Sequence, residues 1–276
     1  MTLHEFPNVE QGSDKWLELR RGIVTASTVG SLITTSRLTA IDYECPKCAA
    51  PPKSKCVGLR DPSKELATLH TERAEYAKDQ PSPIIIAPAS NETSRDLTTL
   101  LVSERITGRV EPTWVTDDMQ RGHDDEPIAR AAYAEYTGRE VTEVGFMLRD
   151  EQHWKLGLSP DGLVGEDGIL EIKSRLPKHQ VKTALLDGIP PEHMAQCQAA
   201  MVVSGRSWVD YVSFAGGMRL FVKRVRPNLD WRLAIIQAVK QFEENAREQQ
   251  REYDERTAHM PMTERNPMIT GELKLA

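Results

Sequence analysis

The chain has no uninterrupted apolar run close to the roughly 20 residues that a membrane-crossing helix needs. Its opening residues, Met1 to Pro7, lack a basic segment followed by an apolar one, so no secretory signal and no membrane partner are expected, and the expected compartment is the cytoplasm. There is no surplus of positive charge: 35 Lys and Arg stand against 41 Asp and Glu, a net charge of −6. That excludes a protein that coats nucleic acid by bulk charge, but not one whose bases are placed locally. Four cysteines in 276 residues are too few for a disulfide scaffold. Internal repeats and low-complexity segments are also missing, which sets aside solenoids and disordered chains. With 39% hydrophobic and 28% charged residues, a folded chain with a sizeable core remains.

Local patterns outline the elements. Ser13 to Thr35 reads as helix, turn, helix, with Gly22 as the stop of the first and Val29, Leu32 and Ile33 spaced for the second. A helix carrying Leu97, Leu100, Leu101 and Ile106 ends near Gly108, and another from about Asp124 to Tyr136 is expected to bury Ile128, Ala132 and Tyr136 before Gly138. Strand signals follow at 141–148, 154–158 and 169–173, and the turn Gly165 to Gly168 separates the last of them from Asp161-Gly-Leu-Val164 as a hairpin. Pro190 and Pro191 open a helix that Gly205 stops. A second hairpin turns at Gly216 and Gly217, and a long helix from Asn228 carries Trp231, Ile235, Ala238 and Phe242 on one stripe. The predicted class is α+β, with a central mixed sheet flanked by helices.

The chemistry is concentrated around Asp161, on a hairpin strand or just before it, and Glu171-Ile172-Lys173 on the strand that follows. Residues two apart on a strand share a face, so Glu171 and Lys173 project together while Ile172 points into the core. Pairing can bring Asp161 beside Glu171. Two carboxylates and a lysine suit a hard divalent cation such as Mg²⁺, with Mn²⁺ as its substitute. Taken alone, a Glu-x-Lys pair and a Pro-Asp-Gly turn are ordinary surface features.

Their surroundings resemble the phage lambda exonuclease family, the YqaJ-type viral recombinases within the PD-(D/E)xK nucleases. Trp16, Arg20, Gly22 and Thr25-Ala26-Ser27 are similar to that family's opening motif, Gly122 to Arg130 to its Gly-x-x-x-Glu-x-x-Ala-Arg helix, and Ser159-Pro160-Asp161-Gly162 with Glu171-Ile172-Lys173 to its catalytic core. Gln196-x-Gln198 and Trp208 follow in the family's order. The resemblance implies a restriction-endonuclease-like core. It implies that Glu126, Asp161, Glu171 and the Ile172 backbone carbonyl hold the catalytic metal, that Lys173 orients the attacking water, and that Gln196 supports the lysine or the scissile phosphate. Arg20 and Ser27 are implied to receive a terminal 5′-phosphate. His193 departs from the pattern, which often has Tyr there. The implied activity is 5′→3′ degradation of one strand of linear double-stranded DNA, leaving 3′ single strands for recombination. The implied partners are a single-strand annealing protein and two further copies of the chain in a homo-trimer. If the chain is phage-encoded, the compartment is the host cytoplasm.

Cys45, Cys48 and Cys56, with His70 beyond them, form a Cys₃His set suited to a closed, structural Zn²⁺ site. Free cysteines in a loop are the bland alternative. From Cys45 to Lys64 there are five bases against one acid, so contact with duplex DNA near the active site is expected, and a plain structural staple is almost as reasonable. Cys197 reads as a small core residue. The expected organisation is N-terminal helices over 1–42, a zinc-binding insert over 43–80, a nuclease core over 81–256 and a tail over 257–276. Two rival functions stand beside the exonuclease: an endonuclease or nickase of the same superfamily, and a non-catalytic DNA-binding protein with a zinc module.

Overall fold

The computed structural model describes residues 2–111 and 116–264. The elements in chain order are β1 (Thr2–Phe6), α1 (Asp14–Arg20), β2 (Val24–Thr25), β3 (Ile33–Arg37), α2 (Thr71–Lys78), β4 (Ile84–Pro88), α3 (Glu92–Thr107) and α4 (Asp117–Thr137). They continue with β5 (Val141–Thr142), β6 (Phe146–Glu151), β7 (Trp154–Leu158), β8 (Gly162–Val164), β9 (Gly168–Ser174), α5 (Pro177–Leu186), α6 (Pro191–Ser204), β10 (Trp208–Phe214), β11 (Phe221–Val225) and α7 (Leu229–Thr257). Among the described residues no helix is long and apolar enough to cross a membrane. Of the tail expected over 257–276, residues 265–276 lie outside the described residues.

The chain divides into two units. The larger comprises Met1–Ile33 and Pro88–Ala276, and the smaller Thr34–Ala87. In the larger unit the fold is α+β, with its strands in a four-stranded sheet ordered β1-β6-β7-β2 and a five-stranded sheet ordered β11-β10-β9-β8-β5. Both sheets are mixed: β9 pairs with β10 in parallel and with β8 antiparallel, and β2 runs parallel to β7.

Alternation along β9 and β10 builds two cores. Ile169, Val209 and Tyr211 join the α6–α7 side, whereas Leu170, Ile172, Trp208 and Val212 join Ala129 and Tyr133 of α4. Buried α7 residues Ile235, Val239 and Phe242 extend the first core, and each fully buried side chain of this size is worth about 1.5–3 kcal/mol. Gly145 has no room for a side chain, because a Cβ there would lie 1.6 Å from the Val9 carbonyl oxygen. The chain just before α1 is thereby drawn against β6.

Two local expectations are corrected and one helix is added. The second helix expected before Thr35 is only a 3-10 turn, Val29–Leu32, followed by β3. Thr25 and Thr28 hydroxyls and backbone groups bond to one another there, offering the chain an alternative to a helix. In α4 the buried residues are Ala129 and Tyr133, while Ile128 and Tyr136 are 58% and 73% exposed. Tyr133 is turned inward by its hydrogen bond to Asp210 (2.6 Å), which also holds Arg224. Helix α5 has no counterpart in the sequence reading.

In the smaller unit β3 pairs with β4, and α2 packs against a 3-10 turn at Ala40–Asp42. A miniature core of Cys45, Ala50 and Cys56, backed by Cys48, Leu66 and Leu69, is all the apolar interior that this unit has among its described residues.

Candidate active site and metal cluster

Strand β8 is only three residues long, and its register with β9 runs from Val164 opposite Gly168 to Gly162 opposite Leu170. Beyond Leu170 this edge of β9 has no strand partner. Asp161 fills the gap: its Oδ2 accepts the Ile172 N–H at 2.5 Å. The same register leaves Glu171 beside Asp161, as the hairpin pattern predicts.

Glu171 is 1% exposed. Its Oε1 accepts from Lys173 Nζ at 2.7 Å and from Gln196 Nε2, on α6, at 2.6 Å. Its Oε2 is buried with no hydrogen-bond partner. Burial, reinforced by the Glu171 charge, holds the Asp161 carboxyl well above the usual carboxylate range, with Lys173 only partly offsetting them. Burial alone would lower the lysine, but the Glu171 and Asp161 charges raise it, so Lys173 is a firm cation.

Glu126 does not bond to this pair. It ion-pairs with Arg130 one helical turn on, and burial pushes its carboxyl up against the pull of Arg130. Arg130 Nε in turn donates to the Asp161 carbonyl at 2.8 Å, tying α4 to the Asp161 loop. Pro127 lies inside the same helix, and lacking an N–H it cannot serve the His123 carbonyl. A cavity of about 400 Å³ opens beside His123, Glu126, Arg130 and Glu143.

Arg20 and Ser27 share a cavity of about 230 Å³ with Trp16, Thr25, Ser159 and Gln196. The Arg20 guanidinium stacks 4.1 Å over the Trp16 ring, and Trp16 Nε1 donates to Ser159 Oγ at 2.8 Å. Ser27 Oγ lies 3.0 Å from Thr25 Oγ1. Gln196 therefore borders both this cavity and Glu171.

His193 stacks on Tyr211, ring centroids 5.6 Å apart, and its Nε2 lies 2.7 Å from Arg175 Nη2. Burial and the charges of Lys173 and Arg175 push its pKa down to about 4, so the ring is the neutral acceptor of that bond. Arg175 also donates to Tyr211 Oη at 3.2 Å. Cys197 is buried and burial raises its thiol pKa, in keeping with a core residue.

A buried acid with an oxygen that nothing among the described residues satisfies, beside a second, half-buried carboxylate, is costly unless a cation completes the pair. All-oxygen donors of this kind fit a hard divalent ion.

In the smaller unit the ligand atoms of Cys45, Cys48, Cys56 and His70 all lie within 4.8 Å of one another, and the thiols are free. This is the donor set of a structural zinc site. Burial opposes ionisation of Cys48, but N–H groups of Val57 and Ala50 and the neighbouring Cys45 and His70 bring its pKa down to about 6. Sequence reading missed Arg73, which is completely buried. Its guanidinium donates to the carbonyls of Tyr43, Ser54, Ile41 and Pro51 at 2.7–3.0 Å, and Nη1 lies 3.5 Å from Cys56 Sγ. The one available signal was a lone Arg in the first turn of a helix after a ligand His. Arg130 was legible as the last residue of the Gly122–Arg130 motif, but its bond to the Asp161 carbonyl was not, and neither was the contact of Arg175 with His193.

Two family models match the chain. Residues 85–207 match the YqaJ-like viral recombinase domain, and residues 16–89 match a phage zinc finger domain described as a candidate DNA-binding module. The fold is similar to an alkaline exonuclease (LHK-Exo) from Laribacter hongkongensis: 24% identity over 90% of this chain and 100% of that one, TM-score 0.63. The same enzyme in complex with dAMP gives 25% identity over the same shares and a TM-score of 0.62. No curated protein matches the chain. The stretch that carries Glu126, Asp161, Glu171, Lys173 and Gln196 thus lies within a YqaJ-like viral recombinase domain.

Proposed function

We propose that this DNA nuclease is a metal-dependent exonuclease that digests one strand of linear duplex DNA in the 5′→3′ direction. The reading rests above all on Glu171, whose two carboxylate oxygens differ: one is held by Lys173 and Gln196, the other is buried without a partner. Asp161 and Glu171, with Glu126 and the Ile172 carbonyl, would hold Mg²⁺ or Mn²⁺. Such an ion supplies Lewis-acid polarisation of the phosphodiester and eases ionisation of a water.

The remaining work falls to the chain's own groups. Lys173, kept cationic by its acidic neighbours, orients the attacking water and offsets charge that grows on the phosphate oxygens. Gln196 fixes the rotamer of Glu171. Arg130 keeps Glu126 and the Asp161 loop in register. Arg20, pre-oriented by Trp16, offers a planar fork to a terminal 5′-phosphate, and Ser27 adds a hydroxyl. A site that recognises the end of a strand favours exonuclease over endonuclease action. The Cys45–Cys48–Cys56–His70 cluster would hold Zn²⁺, and the basic stretch around it would contact duplex DNA. A single-strand annealing protein and a homo-trimer complete the proposal by resemblance.

Asp161→Asn and Lys173→Ala are each expected to abolish nucleotide release from linear duplex with Mg²⁺ while leaving the circular dichroism spectrum native. Full activity in either variant overturns the site. Cleavage of covalently closed circles by the unaltered protein would move the assignment to the endonuclease reading. Unchanged linear duplex across a titration of Mg²⁺ and Mn²⁺ would move it to a non-catalytic DNA-binding protein.

A further inference from the structure

At the far end of β9 from Glu171 and Lys173, the larger unit contains a cavity of about 770 Å³. Five cationic side chains line it: Arg149, Arg206, Arg226, Arg232 and Lys240, with Glu151 as the one carboxylate among the lining residues. In a chain of net charge −6 this is a local inversion of sign. Two of the five are built into the wall. Arg149 Nε donates to the Val203 carbonyl at 2.9 Å, and Arg206 Nη1 donates to the carbonyls of Gly165 and Gly168 at 2.7 and 2.9 Å. Arg226, Arg232 and Lys240 are exposed, and none of them makes an ion pair with a described residue.

Between the cations the lining is mixed: Met201, Val202, Ile236 and Trp154 are apolar, and Gln152, His153, Gln198 and Ser207 are polar. Arg206 binds the carbonyl at the start of β9, and Lys173 lies five residues along the strand. At about 3.3 Å per residue that is a separation of ~17 Å, so this cavity is distinct from the carboxylate site.

We propose that the cavity is a second nucleic-acid site, which takes a short segment of single-stranded DNA. The guanidiniums match phosphates as planar forks, the Trp154 indole and its apolar neighbours offer stacking surface to an unstacked base, and the neutral polar side chains offer hydrogen bonds to its edge. Duplex DNA is a poor fit, since its base faces are already stacked and only edges reach the surface. A carboxylate-rich peptide would meet the cations but offer no ring to the Trp154 indole and its apolar neighbours. The volume lies within the ~300–1,000 Å³ of pockets that enclose compact ligands. The proposal rests on the exonuclease reading in one respect: digestion of one strand produces the single strand that this site would hold.

The test uses the full chain carrying Asp161→Asn, without added Mg²⁺, so that nothing is degraded. The probe is a fluorescent oligothymidylate of about ten nucleotides with a 5′-hydroxyl end, which gives the Arg20 pocket no terminal phosphate. Fluorescence anisotropy is expected to show binding that Arg226→Ala with Arg232→Ala weakens at least tenfold. The salt slope should flatten by about 1.4, the value for two lost phosphate contacts on a single strand. Trp154→Leu is expected to weaken binding and abolish the tryptophan quenching that accompanies it, while Trp154→Phe keeps most of the affinity. In the otherwise unaltered enzyme, Arg226→Ala with Arg232→Ala should leave the initial rate on short linear duplex unchanged. Equal oligothymidylate affinity with and without the two arginines overturns the proposal. So does displacement of the oligonucleotide by polyglutamate at equal charge concentration, which would assign the cavity to an acidic polypeptide. Oligothymidylate binding by a protein that never digests DNA would sink the exonuclease reading and leave this site standing.

Discussion

Two buried charges in this chain are accommodated in opposite ways. Arg73, in the smaller unit, has its guanidinium taken up by four backbone carbonyls and a cysteine sulfur. Glu171, in the larger unit, keeps one oxygen that nothing among the described residues satisfies. A saturated buried charge has no bond left to offer, so its role is to hold loops together. An unsaturated one is an open valence, destabilising at rest and available to a ligand. The contrast separates a structural site from a reactive one without reference to motif or family, and it can be tested by treating both sites alike.

The largest effect is expected in the smaller unit. Its apolar interior is a few residues, too little to hold 54 residues by burial alone. A structural zinc site contributes on the order of 10–16 kcal/mol, and without it Arg73 loses the geometry of its acceptors. A zinc-selective chelator should therefore abolish amide-exchange protection across Thr34–Ala87 while α6, α7 and β9 keep theirs. Arg73→Met, which leaves four carbonyls bare, should weaken the same protection by about 3–5 kcal/mol with zinc present. Undiminished protection in both cases would mean that the β3–β4 pair and α2 carry this unit instead.

The opposite sign is expected at the open valence. Glu171→Gln removes a buried charge and keeps the shape, so it should raise the melting temperature of the metal-free protein by a few degrees, for about 1 kcal/mol gained. Activity should fall by at least a thousandfold. Added Mg²⁺ should raise the melting temperature of the unaltered protein but not of the variant. A destabilised Glu171→Gln chain would show that the carboxylate is a structural partner of Lys173 and Gln196, and the contrast with Arg73 would collapse.

The sequence revealed these regions unequally. Where neighbours in sequence make the structure, it could be read directly: the β8–β9 hairpin, the helix opened by Pro191, the α7 stripe, and the Cys₃His spacing, whose four ligand atoms do converge. Where the partner is remote, it could not. The buried face of α4 depends on Asp210, 77 residues after Tyr133. Helix α5 was hidden because its anchors are polar: Gln180 bonds to the backbone at Ser213 and Arg219, while Leu185 is 82% exposed. Amphipathic patterning finds apolar faces, and this helix is held by an amide. Arg73 and the orphaned oxygen of Glu171 share that difficulty, since saturation is a property of three-dimensional surroundings. The sequence could suggest which residues were chemical, but not which had a bond to spare.

Arg175 and His193 are the intermediate case and carry the smallest predicted effect. Arg175 Nη2 is satisfied by a neutral imidazole and by Tyr211, while its buried Nε has no partner. The pair holds only while His193 is unprotonated, because an imidazolium would present a second donor to a guanidinium. In the folded chain the His193 pKa is about 4, below the ~6.5 of an unfolded histidine. Between those values the unfolded chain binds more protons, so stability falls as the pH is lowered. The contribution is fully present above pH ~6.5 and is lost on descending towards 4. Besides Lys173 and Arg175, the groups facing the ring are Glu192, which favours protonation, and the Tyr211 hydroxyl, which stays neutral throughout. His193→Gln retains an acceptor for Arg175 and removes the titration, so its denaturation midpoint should vary less between pH 6.5 and 4.5 than that of the unaltered chain. Parallel pH profiles would mean that acid sensitivity in this window comes from other groups. Arg175 would then be held by its packing, as Arg73 is by its carbonyls, rather than by the protonation state of its neighbour.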